Sequence, residues 1–567
     1  VDSATLTLDS FNDDRTGYYF RTNPLGVQHD GRISDNGLTA DISWDGIWKS
    51  AGSMNEEGWS AEIAIPLSSI KFRPGKNLTW GFQASRYFPR NLEKDFWTGP
   101  LEDYRKMSVN GSLTGLDIEK APRSLKVIPH VISKLQEKER ADFEAGIDAS
   151  YDFSRFISGD LTINPDFATV EADRERINLT RFELNFPEKR NFFLEGNDIY
   201  QQRIRLFYSR RIADIYGGAK IYGKTGGYEF SALSAQTKEE NEESDSANFS
   251  VFRLKRDILK SSNIGFLVAN KLVKGANQGT FGLDTSLYFT KTFSFTGQLA
   301  MSYSDGNESD IAFFLRPSYD SRTFHIHIRY THLGDNFGDN ANAVGFIRDD
   351  NRHELDSAIQ KSFWMKKGGL DRIVYSSNYN IYWGMDRILR SWDVWQALAF
   401  DLQNKFSLKL RHQQEYKLYE KEFRNHNSTL ELGYNTREWR SVTLSYQFGK
   451  NFDSDFSLLG GRLRQYINQN LSVEYSLSRL FLSPDPENES TWIHVIVANQ
   501  YFTKDLFLKL FYQTNSGIGK KNIQVVFVYR FQPPFGLVQL VYQKGTAKFG
   551  EAGTQGHTLF LKLAYVF

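Results

Sequence analysis

The sequence predicts an all-β protein: a large antiparallel transmembrane β-barrel of roughly 22–26 strands, preceded by a small β-sandwich domain. Three observations predict it. Segment after segment alternates apolar and polar residues with a period of two. No apolar run approaches the ~20 residues that a membrane helix needs. Aromatic residues make up 15% of the chain, with 45 Phe, 28 Tyr and 11 Trp among 567 residues. A barrel strand shows only every second side chain to lipid, so such a chain is polar on average.

The alternation is strict. Phe324, Ile326, Ile328 and Tyr330 interleave with His325, His327, Arg329 and Thr331. Phe406, Leu408 and Leu410 interleave with Ser407, Lys409 and Arg411, and Leu430, Leu432 and Tyr434 with Thr429, Glu431 and Gly433. One face suits hydrocarbon. The other, carrying His325, His327, Arg329, Lys409, Arg411 and Glu431, is expected to face a lumen.

A soluble sandwich also alternates, but three features favour the barrel. Many segments run close to the roughly 9–11 residues that cross a tilted bilayer span. Aromatics recur at segment ends (Tyr330, Trp364, Tyr434, Trp492), where interfacial girdles lie. The chain closes on Leu559, Leu561, Leu563, Tyr565 and Phe567 in alternation. A last strand ending in Phe567 resembles the signal read by the outer-membrane barrel assembly machinery, the first expected partner beside the lipid itself. Lys274-Gly275, Asp305-Gly306, Asn515-Ser516-Gly517 and Pro533-Pro534-Phe535-Gly536 mark turns. The polar stretches from Lys238 to Ser246, Leu333 to Arg352 and Ser483 to Ser490 read as external loops.

Charge excludes one class of partner. Lys+Arg 69 against Asp+Glu 68 gives no basic excess for nucleic acid. The absence of Cys fits an exported protein. Val1 stands where a Met or an apolar leader is expected, so a signal peptide is read as removed or left out.

Between two strand-like segments the alternation breaks. Residues 166–203 carry Glu171, Asp173, Arg174, Arg176, Arg181, Glu183, Glu188, Lys189, Arg190 and Glu195. Beside a polar inner wall, this segment is expected to fold into the lumen and pair its charges there.

Residues 1–118 form a second unit, joined by Ala121-Pro122-Arg123 to a barrel domain over 119–567. Its strand signals are shorter and its turns frequent. Trp59, Ala61, Ile63 and Ile65 line one face of a strand that Pro66 ends.

Leu8-Asp9-Ser10-Phe11, Asn23-Pro24-Leu25-Gly26, Trp44-Asp45-Gly46-Ile47-Trp48, Gly58-Trp59 and Glu62-Ile63-Ala64-Ile65-Pro66 resemble the later half of a family 9 carbohydrate-binding-like module. Asn164-Pro165-Asp166-Phe167 and Phe186-Pro187-Glu188-Lys189-Arg190 resemble the region that follows this module in a large uncharacterised family of Bacteroidota-type outer-membrane proteins. The resemblance implies a bacterial outer-membrane barrel with a periplasmic module, and no settled activity. It also implies further strands before Val1.

Trp44, Trp48 and Trp97, with Asp45, are the candidate ligand-binding residues, since aromatic faces plus a few polar groups hold sugars. Core packing is the competing account of each Trp. Modules of this family often hold calcium, for which the turn at Asp9, Asp13 and Asp14 is the candidate; no other cofactor is expected. His325 and His327 share one side of a strand, a spacing more often luminal than metal-binding. No catalytic residues are assigned, because Gly-x-Ser-x-Gly, His-Glu-x-x-His and P-loop patterns are missing. The expected role is binding or passing a ligand, a glycan being the suggested class. Two alternatives stand beside it: a non-conducting subunit of a larger outer-membrane assembly with partner proteins, and an outer-membrane hydrolase.

Overall fold

The computed structural model describes residues 2–42, 44–99, 103–118, 124–137, 140–167, 174, 177, 182–239, 245–503, 505–531, 536–545 and 556–567. The join at Ala121-Pro122-Arg123, the turn at Pro533-Pro534-Phe535, and Glu171, Asp173, Arg176 and Arg181 of the insert lie outside those residues.

The N-terminal unit is one curled sheet with a separate hairpin. Its strands are β1 (Ser3–Asp9), β2 (Gly17–Thr22), β3 (Gln28–Ser34), β4 (Thr39–Asp41), β5 (Lys49–Asn55), β6 (Gly58–Ala64), β7 (Gly75–Phe88), β8 (Glu93–Phe96) and β9 (Gly111–Ile118). They pair in the order β4-β3-β2-β1-β7-β8, with β9 also on β7, while β5 and β6 pair only with each other. A sandwich would have two full sheets here. Instead Trp44, Ile63 and Ile65 close one face of the single sheet over Leu8, Tyr18, Phe20, Trp48, Ile70, Phe72 and Trp80. A two-stranded flap suffices because so small a core needs only a few large side chains to exclude water.

Among the described residues, 24 antiparallel strands close the barrel. The first, Leu125–Gln136, pairs with the last, His557–Tyr565, in a register that sets Val131 opposite Leu563. Burial is inverted relative to a soluble sheet. Leu410, Leu432, Leu444 and Leu563 are 42%, 49%, 54% and 49% exposed on the outer face, where hydrocarbon takes the place of water. No helix among the described residues is long and apolar enough to cross a membrane, and the strands do the crossing.

The two ends differ. One end has tight turns such as Gly226-Gly227 and Gly368-Gly369, whose positive φ only glycine adopts freely. The other end carries the insert, between strands Ile157–Ile163 and Ile215–Thr225, and the connection from Leu333 to Arg352. The sequence places that connection outside. It turns inward instead, because Phe337 and Ala341 of the short helix Phe337–Ala341, with Val344, join the insert's apolar core.

Candidate functional site

Two kinds of contact fill the barrel, and they differ in chemistry. The insert is held by apolar packing. Phe192, Phe193, Tyr200, Ile204, Leu206, Phe207 and Ile212 bury themselves against inward-facing Leu233, Ala235, Phe249, Val251, Leu267, Ala300 and Phe314. Burying this many large side chains is worth roughly 1.5–3 kcal/mol for each. The insert is thus part of the wall.

The N-terminal sheet caps the tight-turn end, and its contacts are ionic. Arg15, with a fully buried side chain, reaches Asp35 at 2.9 Å, Glu229 at 2.9 Å and Asp257 at 2.8 Å. Asp35 in turn accepts from Lys255 at 2.9 Å and from Asn263 at 3.0 Å. Lys224 bridges Asp13 and Asp257. Arg32 of the sheet meets Asp198 of the insert at 3.1 Å and Glu229 of the wall at 3.2 Å, and Ser34 donates to Asp198. Farther round the rim, Lys106, Lys366 and Arg437 bond main-chain carbonyls at Lys291, Asn91 and Arg90. Among the described residues, the apolar cores of the sheet contain only its own side chains.

This network sets the local titration. Burial works to raise Asp35, but Lys255 and Arg15 outweigh it and hold the carboxyl at about 2. Burial also opposes the low value of Asp13, which Lys224 and Arg15 enforce. Asp198 goes the other way: burial lifts it despite Arg32.

The expected site residues separate on this geometry. Trp48 is core, 6% exposed, stacked edge-on to Phe20, with its indole N–H given to Asp30; it has no face for a sugar. Trp97 is 61% exposed on the sheet, apart from the cavity that Trp44 and Asp45 line. That cavity, about 430 Å³, lies among the sheet, the insert and the wall, and Lys71, Asp148 and Glu195 also border it.

The turn at Asp9, Asp13 and Asp14 does not fit calcium. Asp9 accepts the N–H groups of Phe11, Asp13 and Asp14, and burial beside Asp13 pushes it up to about 8. Asp13 is neutralised by Lys224. The turn carries its own cations.

In the insert, Glu188 pairs with Arg190 at 2.7 Å and Glu183 with Arg211 at 2.8 Å, both within the segment. Arg190 also covers the Phe167 and Phe193 rings, and the Glu195 carbonyl accepts from Lys220 at 2.6 Å. Arg174 spans to the far wall, reaching Glu474 at 2.6 Å. Lys189 gives its main-chain N–H to Glu188.

On the wall, His325 and His327 bond each other at 2.9 Å, and His327 reaches Asp356 at 3.1 Å. Arg329 pairs with Glu354 at 2.6 Å. Lys409, Arg411 and Glu431 alternate with outward Leu410, Leu430 and Leu432, and Lys409 stands opposite Glu431 in the ladder. Among the described residues no group of three or more His, Asp or Glu side chains is placed to hold a metal ion.

Sequence reasoning missed Arg15, Arg32, Asp35 and Asp198. Arg15, Arg32 and Asp35 find wall partners some two hundred positions away in sequence (214 for Arg15 to Glu229), and Asp198 is met by Ser34, 164 positions away, so no local pattern marks them.

A closed, even-numbered antiparallel barrel, apolar outside and occupied inside, defines a transmembrane barrel of the bacterial outer membrane. Residues 121–225, which span the first barrel strands and the insert, match a domain of unknown function (DUF5916). No curated protein sequence matches the chain. Among solved structures it is similar to the siderophore receptor PirA from Pseudomonas aeruginosa (9% identity, 86% of each chain, TM-score 0.39). It is similar also to PirA from Acinetobacter baumannii (8%, 86% of this chain and 85% of that one, 0.42) and to the FrpB iron transporter from Neisseria meningitidis (9%, 78% and 81%, 0.39).

Proposed function

We propose that this chain binds a polar solute in its lumen and passes it across the outer membrane, with the N-terminal sheet as a displaceable gate. The insert serves as a fixed lining. The reading rests on one observation: the sheet meets the wall and insert through ion pairs and hydrogen bonds, whereas the insert meets the wall through a shared apolar core. Separated ion pairs regain hydration, which offsets much of their mutual attraction. Separated apolar surfaces have no such compensation. The tight-turn end faces the periplasm on this reading, since short turns and longer loops divide that way in such barrels.

A thiol lock tests the gate. The chain has no Cys, so Ser34→Cys with Asp198→Cys introduces a lone pair of thiols linking sheet to insert. With Arg15→Gln added to loosen docking, the reduced protein should conduct salt in planar bilayers and the oxidised one should not. Equal conductance in both states refutes the gate.

The glycan reading rests on Trp44 and Asp45 at the 430 Å³ cavity. Oligosaccharide binding that is lost in Trp44→Ala supports it, and binding that persists removes it.

A further inference from the structure

A second cavity, about 790 Å³, lies between β4, the insert and the wall strands around Asp284 and Arg316. Its volume falls in the roughly 300–1,000 Å³ range of small-molecule sites. The charges around it are unevenly matched. Asp35 is bonded by Arg15 and Lys255, Glu188 by Arg190, Asp198 by Arg32, and Asp284 by Arg253 and Gln202. Asp41, the remaining carboxylate on the lining, is also engaged.

Among the described residues, three arginines on the same lining have no carboxylate partner. Arg203 lies over the Phe314 ring, 5.9 Å from its centre. Arg205 lies 5.4 Å from the Tyr208 ring centre and gives one N–H to Asn185, a neutral acceptor, at 2.8 Å. Arg316 holds a buried Nε without any hydrogen-bond partner. Asp320 and Asp356 are near enough to act on Arg316 through their field, but His325 and His327 are their bonded partners. Elsewhere in the lumen Arg15, Arg32, Arg253, Lys255 and Arg329 each face an acid. The rings beside Arg203 and Arg205 and the unbonded Nε of Arg316 leave guanidinium N–H groups for fork-like contacts with carboxylate or phosphate oxygens.

We propose that this cavity binds a multiply charged oxyanion of small-molecule size, held by Arg203, Arg205 and Arg316. The assignment names a class of solute for the passage proposed above; binding itself is independent of that reading, and only the onward transfer of the bound anion rests on it.

The test is calorimetric titration of the full chain in detergent at constant ionic strength, with citrate and pyrophosphate as probes and sucrose as the neutral control. One or both anions should bind and sucrose should not. Arg203→Gln with Arg316→Gln should weaken binding on the order of a hundredfold, about tenfold for each charge-assisted contact removed. Neither arginine has a carboxylate partner to orphan, so the variant should fold, checked by the gel-mobility shift of heated against unheated barrel. A folded variant that binds as tightly as the parent overturns the site, and so does a parent that binds neither anion. A working thiol lock without anion binding removes this assignment alone, whereas anion binding with a failed lock removes the gate and leaves the site.

Discussion

Arg15→Gln should undock the N-terminal sheet while leaving the barrel closed. The side chain is fully buried and joins one carboxylate of its own sheet to two on the wall, all within 3 Å. Glutamine keeps one polar arm and loses the charge. Arg32 is then left to serve Glu229 and Asp198, Lys224 to serve Asp257 and Asp13, and Lys255 to serve Asp35, so the docked state holds more negative charge than its cations balance. Removing one partner of a buried pair costs about 3–5 kcal/mol. The undocked state bears little of that cost, because water solvates the exposed carboxylates. The docking equilibrium should therefore shift by up to roughly 10²- to 4 × 10³-fold. Protease sensitivity of residues 1–118 in reconstituted vesicles reads this out directly, with salt conductance as a second signal. Heat-dependent gel mobility confirms that the barrel itself is intact. Parent-like protection and conductance in a folded Arg15→Gln protein would falsify the claim that ion pairs carry the docking.

Phe193→Ala should act in the opposite sense, lowering thermal stability by about 3–5 kcal/mol through the insert's apolar core without releasing the sheet; calorimetry and proteolysis separate the two effects. Acid should weaken docking through Asp35. Its carboxyl is depressed to about 2 from 3.8, so its contribution, roughly 2 kcal/mol, is full above pH 3.8 and disappears as pH falls toward 2, which a proteolysis series across that range will register. Asp9, raised to about 8, runs the other way: its effect disfavours the fold progressively from pH 3.8 up to 8, and Asp9→Asn should flatten that slope in urea titrations. Leu410→Arg, on the lipid face near mid-strand, should cost about 2–4 kcal/mol, whereas its inward neighbour Lys409→Leu should change stability little; equal effects at the two positions would undo the assignment of faces.

The barrel was legible because alternation is local: Leu408, Leu410, Lys409 and Arg411 declare their faces within four residues. The wall around Leu233, Ala235, Phe249 and Val251 was harder to read, since its inner face is also apolar where the insert covers it, and a strand apolar on both faces loses its period. In the insert the charges drew attention, although Glu188 and Arg190 mostly satisfy each other. Phe192, Phe193, Leu206 and Phe207 decide where the segment lies. The turn at Asp9, Asp13 and Asp14 shows the same limit. An acidic turn looks like a cation site until Lys224, far along the chain, is brought against it. Trp48 and Trp97 are alike in sequence and opposite in exposure, because burial depends on which strand lies above each ring.

The asymmetry of the inner wall indicates where a solute would travel. Strands from Ile215 to Leu333 offer the insert Leu233, Phe249, Val251, Leu267 and Phe314, and that side is filled. Across the barrel the inward positions are Asp393, Gln413, Glu415, Asn425 and Asn427, bonded to one another along the ladder. A polar, half-exposed wall with its own hydrogen bonds is what a hydrated conduit requires, whereas on the filled side the polar surface around Asp284 and Arg316 lines a cavity against the insert. The Arg174–Glu474 pair crosses that gap. On this geometry the insert narrows a barrel too wide to be selective, and the sheet at the tight-turn end closes what is left. Selectivity then belongs to residues that face the gap and to the cavity around Arg316, and opening to the ion pairs at the tight-turn end. These are separable functions on separate segments, so variants at Arg174 and at Arg15 should combine additively, within about 0.5 kcal/mol. A large coupling energy between them would mean that insert and sheet move as one body, and the fixed-lining picture would have to be abandoned.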